Sequence, residues 1–172
     1  MNLDLARIAA LSVGAIACVW DLRTRRIPNA LTFGSSLLAL GVSLLVSGLP
    51  GLGYAMAGWS VGLAIFLPFF LLGGMGAGDV KLLAALGAWL GPVTVFWLAV
   101  YAALAGGLLA VALTLYSGYL RQALNNLGGA LLYWRTAGPG PVPGLTLASA
   151  KGPRLAYALP IFVGMVAALW LR

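Results

Sequence analysis

Long apolar runs without regular alternation of polar residues dominate the sequence and restrict the folds open to it. Of the 172 residues, 62% are hydrophobic and 8% are charged, whereas a soluble domain has about 25% charged residues. Too few polar side chains remain to cover a globular surface in water. The lack of alternation favours helices over the strands of a membrane barrel. The sequence therefore predicts an all-α integral membrane protein.

Six apolar segments approach the length needed to cross a bilayer core of roughly 30 Å, which takes about 20 helical residues. We predict about six transmembrane helices, which use up most of the chain and leave a single polytopic membrane domain over residues 1–172. The predicted spans are residues 3–20, 30–46, 54–72, 79–90, 92–116 and 155–171. A turn at residues 47–53 separates the second and third spans, and Gly91-Pro92 interrupts the chain between the fourth and fifth. The fourth span is either short and tilted or continues past Gly91-Pro92 toward Trp97.

The one long connection between predicted spans covers residues 118–154. Within it, apolar residues recur every three or four positions between polar ones, which is typical of an amphipathic helix: Leu120, Leu124, Leu127, Leu131 and Trp134. We expect this helix to lie in the cytoplasmic membrane interface and contact membrane lipids. A role in docking substrate is the alternative.

Basic residues concentrate in alternate connections. Eight belong to the first, third and fifth connections: Arg23, Arg25, Arg26, Lys81, Arg121, Arg135, Lys151 and Arg154. The opposite side has Arg7 and Arg172. By the positive-inside rule, those three connections face the cytoplasm, and both termini face the outer side of the cell membrane. The formal net charge of +7 thus indicates orientation and lipid headgroup contact, and no nucleic-acid partner is expected.

The chain has three acidic residues, Asp4, Asp21 and Asp79. Asp21 follows the first predicted span, and Asp79 follows a glycine loop at residues 73–78, where glycines permit tight turns and close approach. The predicted topology puts these two at the cytoplasmic interface and Asp4 at the opposite one. A carboxylate beside apolar spans is costly, so its default interpretation is functional. The alternative is a pair of ordinary interfacial carboxylates neutralised by neighbouring basic residues.

The residue types that are missing exclude several chemistries. Histidine is absent and Cys18 is the one cysteine, which excludes a Ser–His or Cys–His pair, a zinc ligand set and an intrachain disulfide. We expect neither a metal nor a cofactor. Two nearby carboxylates can share one proton, so that one activates water while the other polarises a peptide carbonyl.

At these residues the sequence resembles the type IV prepilin peptidases, which are Gly-x-Gly-Asp intramembrane aspartyl proteases. The resemblance rests on Gly76-Ala77-Gly78-Asp79 continuing as Val80-Lys81-Leu82, on Asp21 with Arg26-Ile27-Pro28-Asn29, and on the segment around Tyr157 and Pro160. It implies that leader peptides are removed from type IV prepilin-like precursors at the cytoplasmic membrane face. It also implies that Asp21 and Asp79 are the catalytic dyad.

Six further residues of these motifs are expected to support the substrate or the structure near the dyad: Gly76, Gly78, Lys81, Arg26, Pro28 and Asn29. The larger bacterial members carry an insert with paired cysteines, which this chain lacks. The resemblance is therefore to the compact, peptidase-only branch that serves Flp/Tad-type or archaellin-like precursors. The alternatives are a small proton- or cation-coupled transporter that uses the same aspartates, and a non-catalytic assembly subunit.

Two local features carry structural expectations of their own. Pro28 disfavours helix at the residue before it, which leaves Asn29 placed to cap the second span through its side chain. Gly58-x-x-x-Gly62 in the third span has the spacing that lets membrane helices approach closely, although a chain with 24 glycines can show this spacing without such packing.

Overall fold

The computed structural model describes residues 3–118, 120–146 and 156–171. These residues form five helices: α1 (Leu3–Thr24), α2 (Asn29–Leu71), α3 (Ala77–Tyr116), α4 (Leu120–Ala137) and α5 (Ala158–Trp170). No strand occurs in these three ranges, which confirms the predicted all-α class. Lys151, Arg154 and the first residue of the predicted sixth span lie outside the described residues.

Helix α1 runs one turn further than predicted. The expected end was Trp20, with Asp21 opening the connection, but the helix continues to Thr24 and includes Asp21. The last turn closes because the Arg25 N–H donates to the Asp21 carbonyl at 2.8 Å. The Thr24 hydroxyl also donates to the Trp20 carbonyl at 2.9 Å. Arg25 then takes a left-handed backbone conformation, with φ of 56°, and this ends the helix.

The predicted cap of α2 is wrong. Asn29 is the first residue of the helix, and the capping position belongs to Pro28, whose backbone is extended and which gives no side-chain cap. The Pro28 carbonyl instead accepts from the N–H groups of Leu31 and Thr32 at 3.1 and 3.3 Å. The Asn29 side-chain oxygen accepts from Lys81, so it is engaged with α3 rather than with its own helix.

Two helices are about twice as long as a single membrane crossing and contain one break each. Helix α2 has 43 residues and is broken at Gly48 (φ 63°, ψ −154°). Helix α3 has 40 residues and is broken at Gly91 (φ 81°, ψ 172°). Positive φ at these positions favours glycine. Pro50 and Pro92 lie at the start of the helical segment after each break, where an N–H group would have no acceptor within the helix. The predicted interruption of the helix at Gly91 is present, whereas the predicted turn at 47–53 shrinks to one non-helical residue.

Helices α1, α2 and α3 are long and apolar enough to cross a membrane, and α5 is an apolar helix of shorter length. The number of crossings remains a prediction. Helix α4 falls inside the predicted connection at the place of the amphipathic pattern. None of its residues is buried, and its leucines are exposed. Its position in the membrane interface also remains a prediction.

Helices α2 and α3 pack backbone to backbone. A Cβ atom added at Gly58 would overlap the Gly87 carbonyl, and one added at Gly62 would lie 2.6 Å from the Leu83 carbonyl oxygen. The Gly58-x-x-x-Gly62 spacing therefore does mark a close helix contact. The indole N–H of Trp89 adds a buried hydrogen bond to the Ser35 hydroxyl at 2.9 Å. Helix α5 packs against α3 and α1, which places α3 at the centre of the bundle.

Candidate functional site

The glycine loop joins the end of α2 to the start of α3. Its first turn closes when the Gly73 N–H donates to the Phe70 carbonyl at 2.9 Å and the Gly74 N–H donates to the Phe69 carbonyl at 3.0 Å. Gly73 has φ of 75°, and a residue after a helix end adopts this conformation most easily when it is glycine. Gly76 is then extended and forms the amino-terminal cap of α3.

Asp79 is the third residue of α3, and its carboxyl group folds back toward the start of the helix. The carboxyl accepts a backbone hydrogen bond at Gly76, while the Asp79 N–H donates to the Gly76 carbonyl at 3.2 Å. The carboxyl group therefore makes one half of a capping box, and the other half is missing because Gly76 has no side chain. A Cβ atom at Gly76 would lie 3.1 Å from Asp79 Oδ2. The glycine therefore leaves the carboxyl the room that it occupies.

Asp21 approaches the same region from the carboxyl end of α1. It is one of the few buried polar residues, with 7% of its surface exposed. Its Oδ2 accepts from the N–H of Ala158, the first residue of α5, at 3.3 Å. Its charge acts on the Asp79 carboxyl group, and the segments beside the two aspartates pack together through Ile27 and Gly78. We call the place where the two predicted aspartates lie the carboxylate site.

The connection between α1 and α2 packs directly against the glycine loop. The Thr24 hydroxyl holds this connection by donating to the Arg26 carbonyl at 3.1 Å. Ile27 lies against Gly78, where an added Cβ atom would be 3.2 Å from the Ile27 Cβ. The segment after Asp21 and the segment before Asp79 are therefore in contact, although more than 50 residues separate them in sequence.

Lys81 makes the second link between these segments. Its ammonium group donates to Asn29 Oδ1 at 3.0 Å and lies 5.1 Å from the centre of the Phe33 ring, within the range of a cation–π contact. The hydrogen bond connects the first turn of α2 to the second turn of α3. Lys81 therefore supports the carboxylate site through packing and hydrogen bonding.

Tyr157 forms a wall of the site next to the start of α5. Its ring contacts the Phe66 ring edge to face, with 5.8 Å between the centroids. A Cβ atom at Gly106 would lie 2.9 Å from the Tyr157 ring. The charge of Asp79 acts on the Tyr157 hydroxyl. Tyr157 therefore links the carboxylate site to the second half of α3.

The predicted site residues meet at one end of the bundle, with different roles. Asp21, Asp79, Gly76, Gly78, Lys81 and Asn29 make the contacts described above. Pro28 caps α2. The Arg26 side chain is exposed, and its described contact is made by its main-chain carbonyl. Asp4 lies in the first turn of α1, at the far end of that helix from Asp21.

Sequence reasoning missed three contributors to the site. The Ala158 N–H could not be predicted as a donor to Asp21, because almost every residue has a main-chain N–H. Ile27 was noted within a motif, but its contact with Gly78 was not expected. Phe33 had a signal that was overlooked, because it lies four residues after Asn29 and therefore on the same face of α2.

Comparison with known proteins supplies the family. Residues 8–111 match the model of the type IV leader peptidase family. This range includes both aspartates, the connection that contains Ile27 and the whole glycine loop. No curated protein and no solved structure gave a match. Because the family match covers more than half of the chain, the protein belongs to the type IV leader peptidase family, which indicates a membrane peptidase and implies prepilin-like precursors as its general class of substrate.

Proposed function

We propose that the protein is a membrane aspartic endopeptidase whose Asp21 and Asp79 together activate a water molecule. One observation supports this proposal: the segment that follows Asp21 packs against the glycine loop that precedes Asp79, and Asp21 is buried there. Burying a carboxyl group is costly unless it is paired or hydrogen-bonded. Placing two such groups together adds mutual repulsion to that cost. The family membership supplies the reaction class that uses such a pair.

The chemistry follows from how two neighbouring carboxyl groups titrate. They do not readily ionise together, so one retains a proton when the other is charged, and this state belongs to the pair. The ionised member takes a proton from water as the water oxygen adds to the peptide carbonyl carbon. The protonated member donates its proton to the carbonyl oxygen. Collapse of the tetrahedral intermediate breaks the C–N bond, and the amine leaves with a proton from the pair.

The proposed substrates are the leader peptides of Flp/Tad-type or archaellin-like prepilin precursors. The glycine loop supports this choice of an extended chain as substrate, because four of residues 73–78 are glycines, which add no side chains of their own to the approach to Asp79. The absence of paired cysteines in the sequence supports assignment to the peptidase-only branch.

We further propose that the chain forms one polytopic domain in the cell membrane with six crossings. These are α1, residues 29–47, 49–71, 77–90 and 92–116, and α5, divided by the breaks at Gly48 and Gly91. Arg23, Arg25 and Arg26 are exposed beside the carboxylate site, which supports a cytoplasmic position for it. Both termini then face the outer side. The apolar face of α4 lies in the cytoplasmic interface.

Leader removal in cells tests this function. The chain is co-expressed with a prepilin-like precursor, and the shortening of the precursor is followed on a gel for wild type, Asp21→Asn and Asp79→Asn. Either substitution abolishes shortening, because the two carboxyl groups have different tasks and neither replaces the other. A transporter that uses the same aspartates predicts no precursor cleavage by any of these chains.

The matched control is Asp4→Asn, which removes the third carboxylate of the chain at the opposite end of α1. This variant should process the precursor at the wild-type rate. Full processing by Asp21→Asn or Asp79→Asn would rule out the proposed dyad. Loss of processing in Asp4→Asn would contradict the proposed arrangement of the helices in the membrane.

A further inference from the structure

A second site lies at the end of the bundle away from the aspartates. It is a cavity of about 660 Å³ between α1, α5 and the broken regions of α2 and α3. Arg7 lines it from α1, and Trp89 and Thr94 line it from either side of the break in α3. Ser47 and Tyr54 line it from either side of the break in α2.

This cavity is separate from the carboxylate site. Arg7 and Asp21 are 14 positions apart on α1, which corresponds to about 21 Å along a helix that rises 1.5 Å per residue. Asp79 and Trp89 are ten positions apart on α3, or about 15 Å. Catalysis at the carboxylate site therefore leaves the cavity unexplained.

The lining of the cavity has a polar part, which includes an arginine, and an apolar part. Arg7 brings a permanent positive charge and a set of N–H donors that suits phosphate oxygens. Ser47, Tyr54 and Thr94, which have hydroxyl side chains, belong to the same lining. The remaining surface includes apolar side chains such as Val93, which is 59% exposed. An occupant that satisfies both parts has an anionic head and an apolar tail.

The position in the bundle favours a lipid over a soluble anion. The cavity lies where α1 begins and where the two long helices break. In the six-crossing arrangement proposed above, each break ends one crossing and starts the next, which puts the cavity at the depth of phospholipid headgroups. A volume of about 660 Å³ exceeds what a single phosphate needs and accommodates a headgroup with the first part of an acyl chain.

We propose that this cavity binds an anionic phospholipid, whose phosphate contacts Arg7 and whose acyl chain packs against the apolar lining. The binding stabilises the bundle at the breaks in α2 and α3, because the lipid contacts residues on both sides of each break. This proposal rests on the six crossings proposed above and not on the peptidase activity, and its test measures binding and thermal stability.

Thermal unfolding of the purified full chain in a neutral detergent tests the lipid site. Phosphatidylglycerol, phosphatidylethanolamine with the same acyl chains, and inorganic phosphate are added at equal concentrations. Phosphatidylglycerol should raise the wild-type Tm by about 3–6 °C when it is present at about ten times its Kd. The zwitterionic lipid and inorganic phosphate should each shift the Tm by less than about a third of that amount.

Four variants locate the effect. Arg7→Gln should weaken phosphatidylglycerol binding about tenfold and lose most of the Tm shift, whereas Arg7→Lys keeps the charge and most of the shift. Val93→Trp retains Arg7 but fills the cavity, and should also lose the shift. Arg121→Gln, an exposed arginine on α4, is the control for general charge loss and should respond as wild type.

Three results would overturn the proposal. Equal stabilisation by the two lipids would remove the role of negative charge, and a full shift with inorganic phosphate would make this a small-anion site. A wild-type response in Arg7→Gln or in Val93→Trp would place the lipid elsewhere on the protein. Each variant is compared with its own lipid-free Tm, so a change in basal stability does not mask the outcome.

Discussion

The ammonium group of Lys81 donates a hydrogen bond to Asn29 Oδ1 at 3.0 Å, joining residues that are 52 positions apart in the sequence. Lys81 lies two residues after Asp79, and Asn29 begins α2 directly after the connection that leads from Asp21. The bond therefore ties together the two chain segments that carry the aspartates. Ile27 against Gly78 is the second contact between the same segments. We infer that these two contacts hold the distance between the carboxyl groups.

Breaking the Lys81–Asn29 bond should slow catalysis without abolishing it. Lys81→Met and Asn29→Ala should each lower kcat by about two- to tenfold, corresponding to a hydrogen-bond contribution of about 0.5–1.5 kcal/mol. The double variant should be no slower than the slower single variant, because both substitutions remove the same bond. Steady-state cleavage of a leader-containing peptide measures this. Arg121→Met is the matched control, and multiplicative losses in the double variant would show that the two residues act separately.

Gly78 should tolerate a methyl group poorly, because the Cβ atom of alanine would lie 3.2 Å from the Ile27 Cβ. Gly78→Ala should lower kcat several-fold by pushing the α1–α2 connection away from the glycine loop. Ile27→Gly in the same chain should restore part of the lost rate, since it removes the Cβ atom on the other side of the contact. Gly128→Ala on α4, where an added Cβ meets nothing within 4 Å, should leave cleavage unchanged. Equal rates for Gly78→Ala and wild type would exclude this contact as a determinant of the site.

The close contact between α2 and α3 should make a large contribution to the free energy of unfolding. Gly58→Ala directs a methyl group into the Gly87 carbonyl, and backbone cannot move aside as a flexible side chain can. Overpacking of this kind costs about 1–3 kcal/mol, so the variant should unfold at a lower temperature than wild type. Gly107→Ala places its methyl group in open space on α3 and should be neutral or slightly stabilising. A Gly58→Ala chain with the wild-type Tm would contradict the close helix contact.

Chelators should leave cleavage intact. The sequence contains no histidine and one cysteine, so it lacks the ligands that zinc prefers, and the proposed chemistry needs carboxyl groups and water alone. Cleavage by purified protein should proceed at the same rate with and without EDTA. A loss in EDTA that added zinc reverses would contradict the proposed mechanism.

Sequence patterns predicted the parts of this fold that depend on local backbone chemistry. Gly91-Pro92 combines a residue tolerant of positive φ with one suited to a helix start, and α3 breaks there. Carboxylates are so scarce in this chain that Asp21 and Asp79 are conspicuous in the sequence itself. The presence of both aspartates in one site agrees with that interpretation.

What the patterns did not predict depends on tertiary contact. Asn29 has the side chain of a helix cap, but Lys81 approaches from another helix and takes its oxygen as a hydrogen-bond acceptor. The bond from the Ala158 N–H to Asp21 joins residues 137 positions apart. Its donor is a main-chain group, and the residue type does not show which main-chain group will be used.

The central claim is that Asp21 and Asp79 act as one catalytic unit. The most direct test is the single-turnover rate of leader cleavage by purified wild type, Asp21→Asn, Asp79→Asn and the double variant. Each single substitution should lower the rate by about 10²–10⁴-fold, the range for general acid–base catalysis. The double variant should be no slower than the slower single variant, since residues that act as a unit are non-additive. Multiplicative losses in the double variant, or near-wild-type cleavage by either single variant, would contradict the claim.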